Sequence, residues 1–410
     1  MKILVIVPPE RIDFYIYLEK DTKNDYLLLW HETARQAEES RIRIPTFFKE
    51  VYYWSQFITP GSLLKKIQPD RIIFFEIIDQ RQIALIVKAK FKKVRTFYLE
   101  HGAAGSKETA IERLEVPGFI RRERIPYLFK RVTTSSLKVI QSKFFYYSNL
   151  FGFKIFKNLL AYWSLPFAML KQTPNKTLHR IQFPERVPDY SIVFNKINFY
   201  EYKLYTGIEE KDAVFTGLPF FDEYFHKSDL KQTDHIVYIE HAYIEENLLN
   251  WTEEHHRYIA QSLQAFANMN KQLLYIKLHP RSDIRRWHKW NIEGEYVKII
   301  QFGNFTDLFL SSKLILGFSS SLMNGFICAQ KNIVLLGWHP EPRIFGNNFG
   351  ETGLCHISLF PEDLNSKFKY WLTNNLSVLN TEYYQRYLNE FNFPFDGNAT
   401  RRILNAITTL

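Results

Sequence analysis

Cysteine is scarce in this sequence, with only Cys328 and Cys355 among 410 residues. Two cysteines are too few for a disulfide framework, so we expect a reducing, cytoplasmic setting. No uninterrupted apolar run reaches the ~18 residues that a membrane-spanning helix needs. The apolar run within Met1–Pro9 is too short for a signal peptide and instead predicts a first buried strand.

Several motifs of nucleotide and metal chemistry are also missing. The chain has no glycine-rich dinucleotide fingerprint and no phosphate loop that ends in Gly-Lys-Ser or Gly-Lys-Thr. It has no Asp-x-Asp pair of the kind that holds a divalent metal on nucleotide sugars, and no Cys/His cluster for zinc. We therefore expect no metal and no cofactor, so that any phosphate chemistry falls to the protein's own cations.

Acidic residues are rare in one part of the chain. The net charge is +10, and Arg121–Lys176 contains eleven Lys or Arg but one acid, Glu123. Bulky aromatic and aliphatic side chains are interleaved with these cations. The mixture predicts either a helix on an anionic membrane surface or basic helices that pack their aromatics into their own domain. Because no nucleic-acid-binding motif is present, we do not expect nucleic acid as a partner.

Strand and helix patterns alternate along the chain, which is typical of parallel α/β sheets. The predicted strands are Ile3–Val7, Tyr26–Trp30, Arg71–Phe75, Arg95–Leu99, His235–Glu240, Leu273–Leu278, Tyr296–Ile300, Leu314–Phe318 and Asn332–Leu336. The predicted helices are Pro60–Lys66, Gln80–Lys90, Glu253–Asn268 and Leu322–Ala329. The length predicts two domains, 1–222 and 223–410, with a link at Thr216–Pro219. The last helices are candidates for packing back on the first domain.

The most informative stretch is Lys277-Leu278-His279-Pro280-Arg281, which ends a predicted strand. A cation, an imidazole and a guanidinium at the carboxyl end of a strand predict a phosphate site, because ligands of open α/β sheets bind there. His279 would donate a hydrogen bond to the phosphate or protonate it. The alternative is a surface turn followed by a helix cap.

Ser319-Ser320-Ser321 follows another predicted strand and precedes a predicted helix. Serine hydroxyls and backbone N–H groups at a helix N-terminus form an anion site, although the same serines could simply cap the helix. We predict that this loop and the Lys277–Arg281 loop are adjacent and hold one phosphate.

Two further strand ends carry acid-imidazole pairs. Glu100-His101-Gly102 follows Arg95–Leu99, and a carboxylate beside an imidazole could take a proton from an acceptor hydroxyl. Glu115 is a second candidate base. Glu240-His241 predicts contact with a donor's base or ribose, or else a solvated turn. Trp338-His339-Pro340-Glu341 allows the same two interpretations.

These motifs resemble known families. Lys-x-His-Pro-Arg followed by a strand ending in Ser-Ser is similar to the donor half of bacterial sialyltransferases and polysialyltransferases, which are GT-B enzymes that use CMP-sugars without metal. The resemblance implies that His279, Ser319 and Ser320 contact the CMP phosphate. An acidic-acidic-glycine motif supplies the base in that group, and His101 replaces its second acid here.

Other relatives resemble different parts of the chain. CDP-glycerol glycerophosphotransferases have His-Gly at the Glu100–Gly102 position, and their Gly-x-Pro-x-x-Asp stretch resembles Gly217–Asp222. Kdo transferases, which use CMP-Kdo, have a similar layout. The resemblance covers residues 95–340 loosely.

The main hypothesis is an α/β protein of GT-B type, with two Rossmann-like domains and a cleft between them. It would transfer an acidic sugar from a CMP-sugar to a saccharide or lipid-linked acceptor, at or near the inner face of the cytoplasmic membrane. Glu100 or His101 would be the base, and His279 would stabilise the leaving CMP. Two alternatives are polyol-phosphate transfer from a CDP donor and a non-catalytic glycan- or partner-binding protein. The remaining donor-binding candidates are Gly102, Glu240, His241, Lys277, Pro280, Arg281, Ser319, Ser320 and Ser321.

Overall fold

The computed structural model describes residues 1–7, 15–40, 43–101, 111, 140–149, 153, 155–171, 174–246, 250–318, 320, 322–340, 349–392 and 394–410. Its strands are β1 Lys2–Ile6, β2 Asp25–Leu29, β3 Phe48–Tyr52, β4 Arg71–Phe74, β5 Arg95–Leu99, β6 Tyr190–Val193, β7 Ala213–Phe215, β8 His235–Ile239, β9 Leu273–Lys277, β10 Val297–Ile300, β11 Leu314–Gly317, β12 Ile333–Leu336 and β13 His356–Ser358. All nine strands that the sequence predicts are therefore present, within one residue at each end.

The helices surround these strands. They are α1 Ala34–Ser40, α2 Pro60–Ile67, α3 Gln80–Phe91, α4 Phe156–Lys171, α5 Pro174–Arg180, α6 Lys196–Thr206, α7 Asp222–His226, α8 Glu253–Asn270, α9 Ile284–Lys289, α10 Thr306–Ser311, α11 Met323–Cys328, α12 Asp363–Ser366, α13 Phe368–Thr373, α14 Leu376–Leu379, α15 Thr381–Tyr387 and α16 Ala399–Thr409. Residues 140–147 are also helical. Of the helices in the described part of the chain, none has both the length and the apolar character to cross a membrane.

Short polar residues set where the longer helices begin. The Thr59 hydroxyl accepts a hydrogen bond from the Ser62 backbone N–H at 3.0 Å, and Pro60 follows as the first residue of α2. The Asp79 carboxylate accepts from the Arg81 backbone N–H at 2.8 Å and starts α3. These side chains satisfy N–H groups that have no partner within the helix.

The chain forms two compact units that divide at Thr216 and Gly217, inside the segment predicted as a link. Unit 1 comprises the described residues up to Thr216 together with Thr400–Leu410, and unit 2 comprises Gly217–Ala399. Gly217 has a φ of 77°, a left-handed conformation that glycine adopts without strain.

Unit 1 is built on a seven-stranded parallel sheet in the order β3-β2-β1-β4-β5-β6-β7. Its central strands are buried on both faces, as parallel sheets require. The C-terminal helix α16 belongs to this unit, where the buried Arg71 guanidinium donates to the Ile407 carbonyl. Unit 1 is therefore Rossmann-like and includes the end of the chain.

Unit 2 is built on a six-stranded parallel sheet in the order β10-β9-β8-β11-β12-β13. One core cluster joins residues of β8, β9, β10, β11 and β12 with five buried tryptophans, Trp251, Trp287, Trp290, Trp338 and Trp371. Unit 2 is also Rossmann-like, so each half of the chain has its own sheet and its own core, as the sequence predicts.

Candidate active site

The sheet of unit 2 reverses its strand order between β8 and β11. At such a point the connections leave toward opposite faces of the sheet, so a crevice remains outside the carboxyl ends of the strands. Glu240 and His241 follow β8, and Phe318 follows β11. A Cβ atom at Gly317 would lie 3.1 Å from the Ile239 carbonyl oxygen, so glycine allows the two strand ends to approach closely.

The Lys277–Arg281 segment leaves β9, which is the other neighbour of β8. The predicted adjacency of this loop and the Ser319–Ser321 loop therefore needs one refinement. β8 lies between their strands, which puts the two strand axes roughly 10 Å apart. Ser319 and Ser321 lie outside the described residues.

The turn at residues 279–282 fixes the tautomer of His279. The Arg281 backbone N–H donates to His279 Nδ1 at 3.2 Å, so Nδ1 is an acceptor and the ring proton is on Nε2. Burial is the main cause that lowers the pKa of His279 to about 4; the neighbouring His241 and the cations of Arg281 and Lys277 act in the same direction, and the charge of Glu246 opposes them. At neutral pH the side chain is therefore an uncharged N–H donor through Nε2.

The other residues of this motif differ in exposure. Lys277 is half-buried, its ammonium donates to the Leu278 carbonyl at 2.7 Å, and burial lowers its pKa. The Arg281 guanidinium is mostly exposed and forms an ion pair with Glu246 at 3.1 Å. Pro280 is exposed in the turn. Lys277 is thus the cation held close to the strand end, and Arg281 extends outward.

Glu240 lies beneath the turn, with its side chain fully buried. Its Oε2 accepts from the His279 backbone N–H at 2.7 Å and from the Ser282 hydroxyl at 2.6 Å. Burial outweighs the two hydrogen bonds, which lower the pKa of Glu240, so that this pKa is raised to about 7. Glu240 therefore contacts the loop that carries His279.

His241, the residue after Glu240, packs among the rings of His279 and Tyr243. Its ring stacks on His279 with centroids 5.7 Å apart and on Tyr243 with centroids 4.3 Å apart. The ring of His339, which follows β12, lies edge-on to Tyr243 at 5.8 Å. Burial lowers the pKa of His241 and brings the pKa of His339 to about 4, so both rings are uncharged at neutral pH.

Within the Ser319–Ser321 loop, the structure describes only Ser320, which lies just before α11. Ser320 Oγ accepts from the Leu322 backbone N–H at 3.4 Å, and Leu322, the residue before α11, makes no side-chain cap hydrogen bond. The Ser320 carbonyl accepts from the Met323 backbone N–H at 3.0 Å. Ser320 therefore ties the loop to the first turn of α11.

Sequence reasoning missed Gln301 and the structural role of Ser282. Gln301 follows β10, and its amide donates to the carbonyls of His279 at 3.0 Å and Ser282 at 2.7 Å. A polar residue directly after a predicted strand was the available indication. In the alternative interpretation of this stretch, Ser282 and Asp283 cap the next helix; in the structure Asp283 caps α9, and the Ser282 hydroxyl donates to Glu240.

In unit 1 the Glu100-His101 pair follows β5. Glu100 is 7 % exposed, and its Oε1 accepts from the His101 backbone N–H at 2.9 Å. Burial is the main cause that raises the pKa of Glu100 to about 8; the charge of Glu201 also raises it, and hydrogen bonds from His101, Tyr98 and Asn198 act in the opposite direction. This carboxyl can take up a proton near neutral pH. Gly102 and Glu115 lie outside the described residues.

The part of the chain that the structure describes contains no group of three or more His, Cys, Asp or Glu side chains placed to hold a metal ion. The N–H donor of His279 and the cation of Lys277 at the switch point of unit 2 are groups suited to phosphate.

Solved structures with similar folds cover nearly the whole chain. The wall teichoic acid polymerase TagF is 12% identical over 98% of this chain and 88% of its own, with a TM-score of 0.51. UDP-GlcNAc 2-epimerases from Methanocaldococcus jannaschii and Neisseria meningitidis are 14% and 11% identical, cover 100% of this chain and 99% and 100% of their own, and have TM-scores of 0.48. At this identity, the likeness to TagF shows the fold alone and confirms the predicted GT-B fold class with two Rossmann-like domains.

Sequence comparison identifies the family. None of the curated proteins matches this sequence. Residues 33–293, more than half of the chain, match the family described as alpha-2,8-polysialyltransferase (POLYST). The match includes both Glu100-His101 and the Lys277–Arg281 turn. The chain therefore belongs to the alpha-2,8-polysialyltransferase family and is a glycosyltransferase of GT-B type in surface-glycan synthesis.

Proposed function

We propose that this protein transfers an acidic sugar, such as sialic acid or Kdo, from a CMP-sugar to a saccharide or lipid-linked saccharide acceptor without a metal ion. The observation that carries the proposal is the His279 turn at the switch point of unit 2, which presents an uncharged Nε2–H donor beside the half-buried ammonium of Lys277. Family membership supports a sugar of the sialic acid class. Such sugars are carried on CMP in the enzymes that this chain resembles.

The proposed reaction needs two groups. The bond between the anomeric carbon and the phosphate oxygen breaks, and its electron pair stays on the phosphate of the departing CMP. His279 Nε2–H and Lys277 stabilise the charge that builds there, and this stabilisation is greater in the transition state than in the ground state. The acceptor oxygen bonds to the anomeric carbon, and its proton goes to Glu100, whose raised pKa suits a base near neutral pH.

The test is CMP release from a panel of donors. Purified protein is incubated with CMP-sialic acid, CMP-Kdo and CDP-glycerol, with saccharide acceptors and with or without EDTA. We expect CMP from one of the two CMP-sugars, a product that contains no phosphate from the donor, and an unchanged rate in EDTA. Failure of all donors with varied acceptors, or loss of turnover in EDTA that added metal restores, would contradict the proposal.

One observation favours a second candidate. His101 occupies the position at which sialyltransferases have an acid. The CDP-glycerol glycerophosphotransferases that this chain resembles have a histidine at the same position. Glycerol-phosphate transfer breaks the bond between the two phosphates and also releases CMP. Phosphate in the product would identify this reaction, because sugar transfer adds none.

We also propose that α4 binds an anionic membrane surface, at the cytoplasmic face where lipid-linked acceptors are made. Tyr162 and Leu165 on this helix are fully buried in the core of unit 1. Its opposite face exposes four large apolar side chains at spacings of four, three and four residues: Phe156 72%, Leu160 47%, Trp163 53% and Phe167 59%. With eleven cations and one acid in residues 121–176, such a face suits an anionic lipid surface better than water.

Membrane binding is tested with vesicles. We expect the protein to sediment with phosphatidylglycerol-containing vesicles more than with pure phosphatidylcholine. The variant Phe156→Ser/Trp163→Ser/Phe167→Ser should bind at least ~10-fold more weakly, because burial of each large side chain contributes roughly 1.5–3 kcal/mol. The matched control is Met269→Ser/Phe302→Ser, which removes apolar side chains that are 69% and 74% exposed in unit 2. Equal binding by the wild type and the triple variant would contradict the proposal.

A further inference from the structure

We propose that Glu240 is a positioning residue, which holds the His279 turn in place from beneath and affects the reaction only through His279. The inference rests on the role proposed above for His279. It gives Glu240 a different task from the direct contact with base or ribose that the sequence motif suggests.

The turn is held from both neighbouring strand ends. On the β8 side, one oxygen of Glu240 accepts from the His279 backbone N–H at 2.7 Å and from the Ser282 hydroxyl at 2.6 Å, which are the two ends of the turn. On the β10 side, the Gln301 amide donates to the carbonyls of the same two residues. The Ser282 backbone N–H closes the turn by donating to the His279 carbonyl at 3.0 Å. Removal of Glu240 would therefore release one side of the turn and with it the orientation of the imidazole.

The burial of the Glu240 side chain argues against a direct contact between its carboxylate and the nucleotide. The side chain is fully buried, so its carboxylate is not at the surface where a nucleotide would lie. A carboxylate close behind an anion site also opposes the binding of phosphate, because like charges repel. Its favourable contribution to the site must therefore come from the geometry of its hydrogen bonds and not from its charge.

The surroundings of Glu240 make glutamine an informative replacement. The second oxygen, Oε1, lies 3.5 Å from Nε2 of the buried His256. Burial lowers the pKa of His256 to about 3, so this ring is neutral, and its nitrogens have no hydrogen-bond partner among the described residues. Glutamine at position 240 could keep both bonds to the turn through its oxygen and direct its amide toward His256 Nε2. It would supply the geometry without the charge.

The experiment combines two substitutions at position 240 with one at position 279. kcat and the Kd for CMP are measured for Glu240→Gln, Glu240→Ala, His279→Ala and Glu240→Ala/His279→Ala, and Tm is measured for each. We expect Glu240→Gln to keep kcat within about threefold of wild type and to bind CMP at least as tightly. Glu240→Ala should lower kcat by about 10²-fold. In the His279→Ala background, Glu240→Ala should lower kcat by less than a further factor of about three. The effects of two substitutions are not additive when one residue acts through the other.

Specific outcomes overturn the inference. If Glu240→Gln is as damaging as Glu240→Ala, the charge or a direct contact matters and the positioning role is wrong. If the two alanine substitutions multiply, Glu240 does not act through His279. If His279→Ala alone retains wild-type kcat, the role of His279 fails first and the inference fails with it. Should Glu240→Ala not fold, Ser282→Ala removes one of the two bonds and should give an intermediate loss that also disappears in the His279→Ala background.

Discussion

His279→Ala is expected to lower kcat for CMP release by about 10²-fold or more, with a smaller effect on KM. The physical reason is that Nε2–H meets charge that develops as the phosphate departs, and loss of one such donor typically costs two to three orders of magnitude. The measurement is initial-rate kinetics with the preferred donor at saturating acceptor.

Two further variants make this result specific. His279→Gln retains an N–H donor near the position of Nε2 but cannot act as an acid, so we expect it to recover part of the rate that alanine loses. His288→Ala removes a histidine on α9 that is 52% exposed and should leave the rate unchanged. If glutamine is as inactive as alanine, His279 acts as a proton donor rather than as a neutral hydrogen-bond donor.

Glu100→Gln is expected to abolish most turnover, by ~10²–10⁴-fold, because it removes the proposed base without a change in shape. Burial raises the pKa of Glu100 to about 8, so the wild-type base is mostly protonated at pH 7. In the wild type, kcat/KM should rise nearly tenfold per pH unit below this pKa and level off above it. The Glu100→Gln residual rate should lack this rise. A wild-type profile that is flat between pH 6 and 9 would contradict the assignment and favour His101.

The raised pKa of Glu100 also predicts that the variant Glu100→Gln is more stable than the wild type at high pH. Between the ordinary glutamate pKa of 4.5 and the folded-state pKa of about 8, the folded protein keeps a proton that the unfolded chain has lost. Stability therefore falls as pH rises through this window and stays at the lower level above it. Glu100→Gln should raise Tm by at least ~2 °C at pH 9 and by little at pH 4.5. Glu209→Gln, at a side chain 67% exposed in unit 1, is the control and should not change Tm.

The long apolar runs allowed prediction of most of the fold. Strands such as β1, β8 and β11 are buried on both faces, so their sequences are continuously apolar and easy to identify. The strands that were missed are short or lie near the sheet edges. β3 and β13 have exposed positions and polar residues, β7 has three half-buried residues, and in β6 the polar Ser191 interrupts the apolar run. The sheet order, which no local pattern encodes, came from the structure.

The site was predictable in part for the same reason. His279 and Glu100 each follow a strand that was predicted correctly, and each lies at the carboxyl end of a strand in the parallel sheet of its own unit, where ligands of such sheets bind. The sequence could not show that Arg281 contributes a backbone N–H to His279 Nδ1, because that bond depends on the path of the turn. Nor could it distinguish a buried Glu240 from an exposed one, since burial depends on what α8 and α9 place beside it.

Calorimetric titration with CMP in EDTA measures whether the switch point of unit 2 binds the leaving cytidine nucleotide. We expect wild-type protein and His288→Ala to bind CMP with the same Kd. His279→Ala should bind CMP at least ~10-fold more weakly, and UMP should bind more weakly than CMP. Equal CMP affinity in wild type and His279→Ala, or no CMP binding by the wild type, would contradict these expectations.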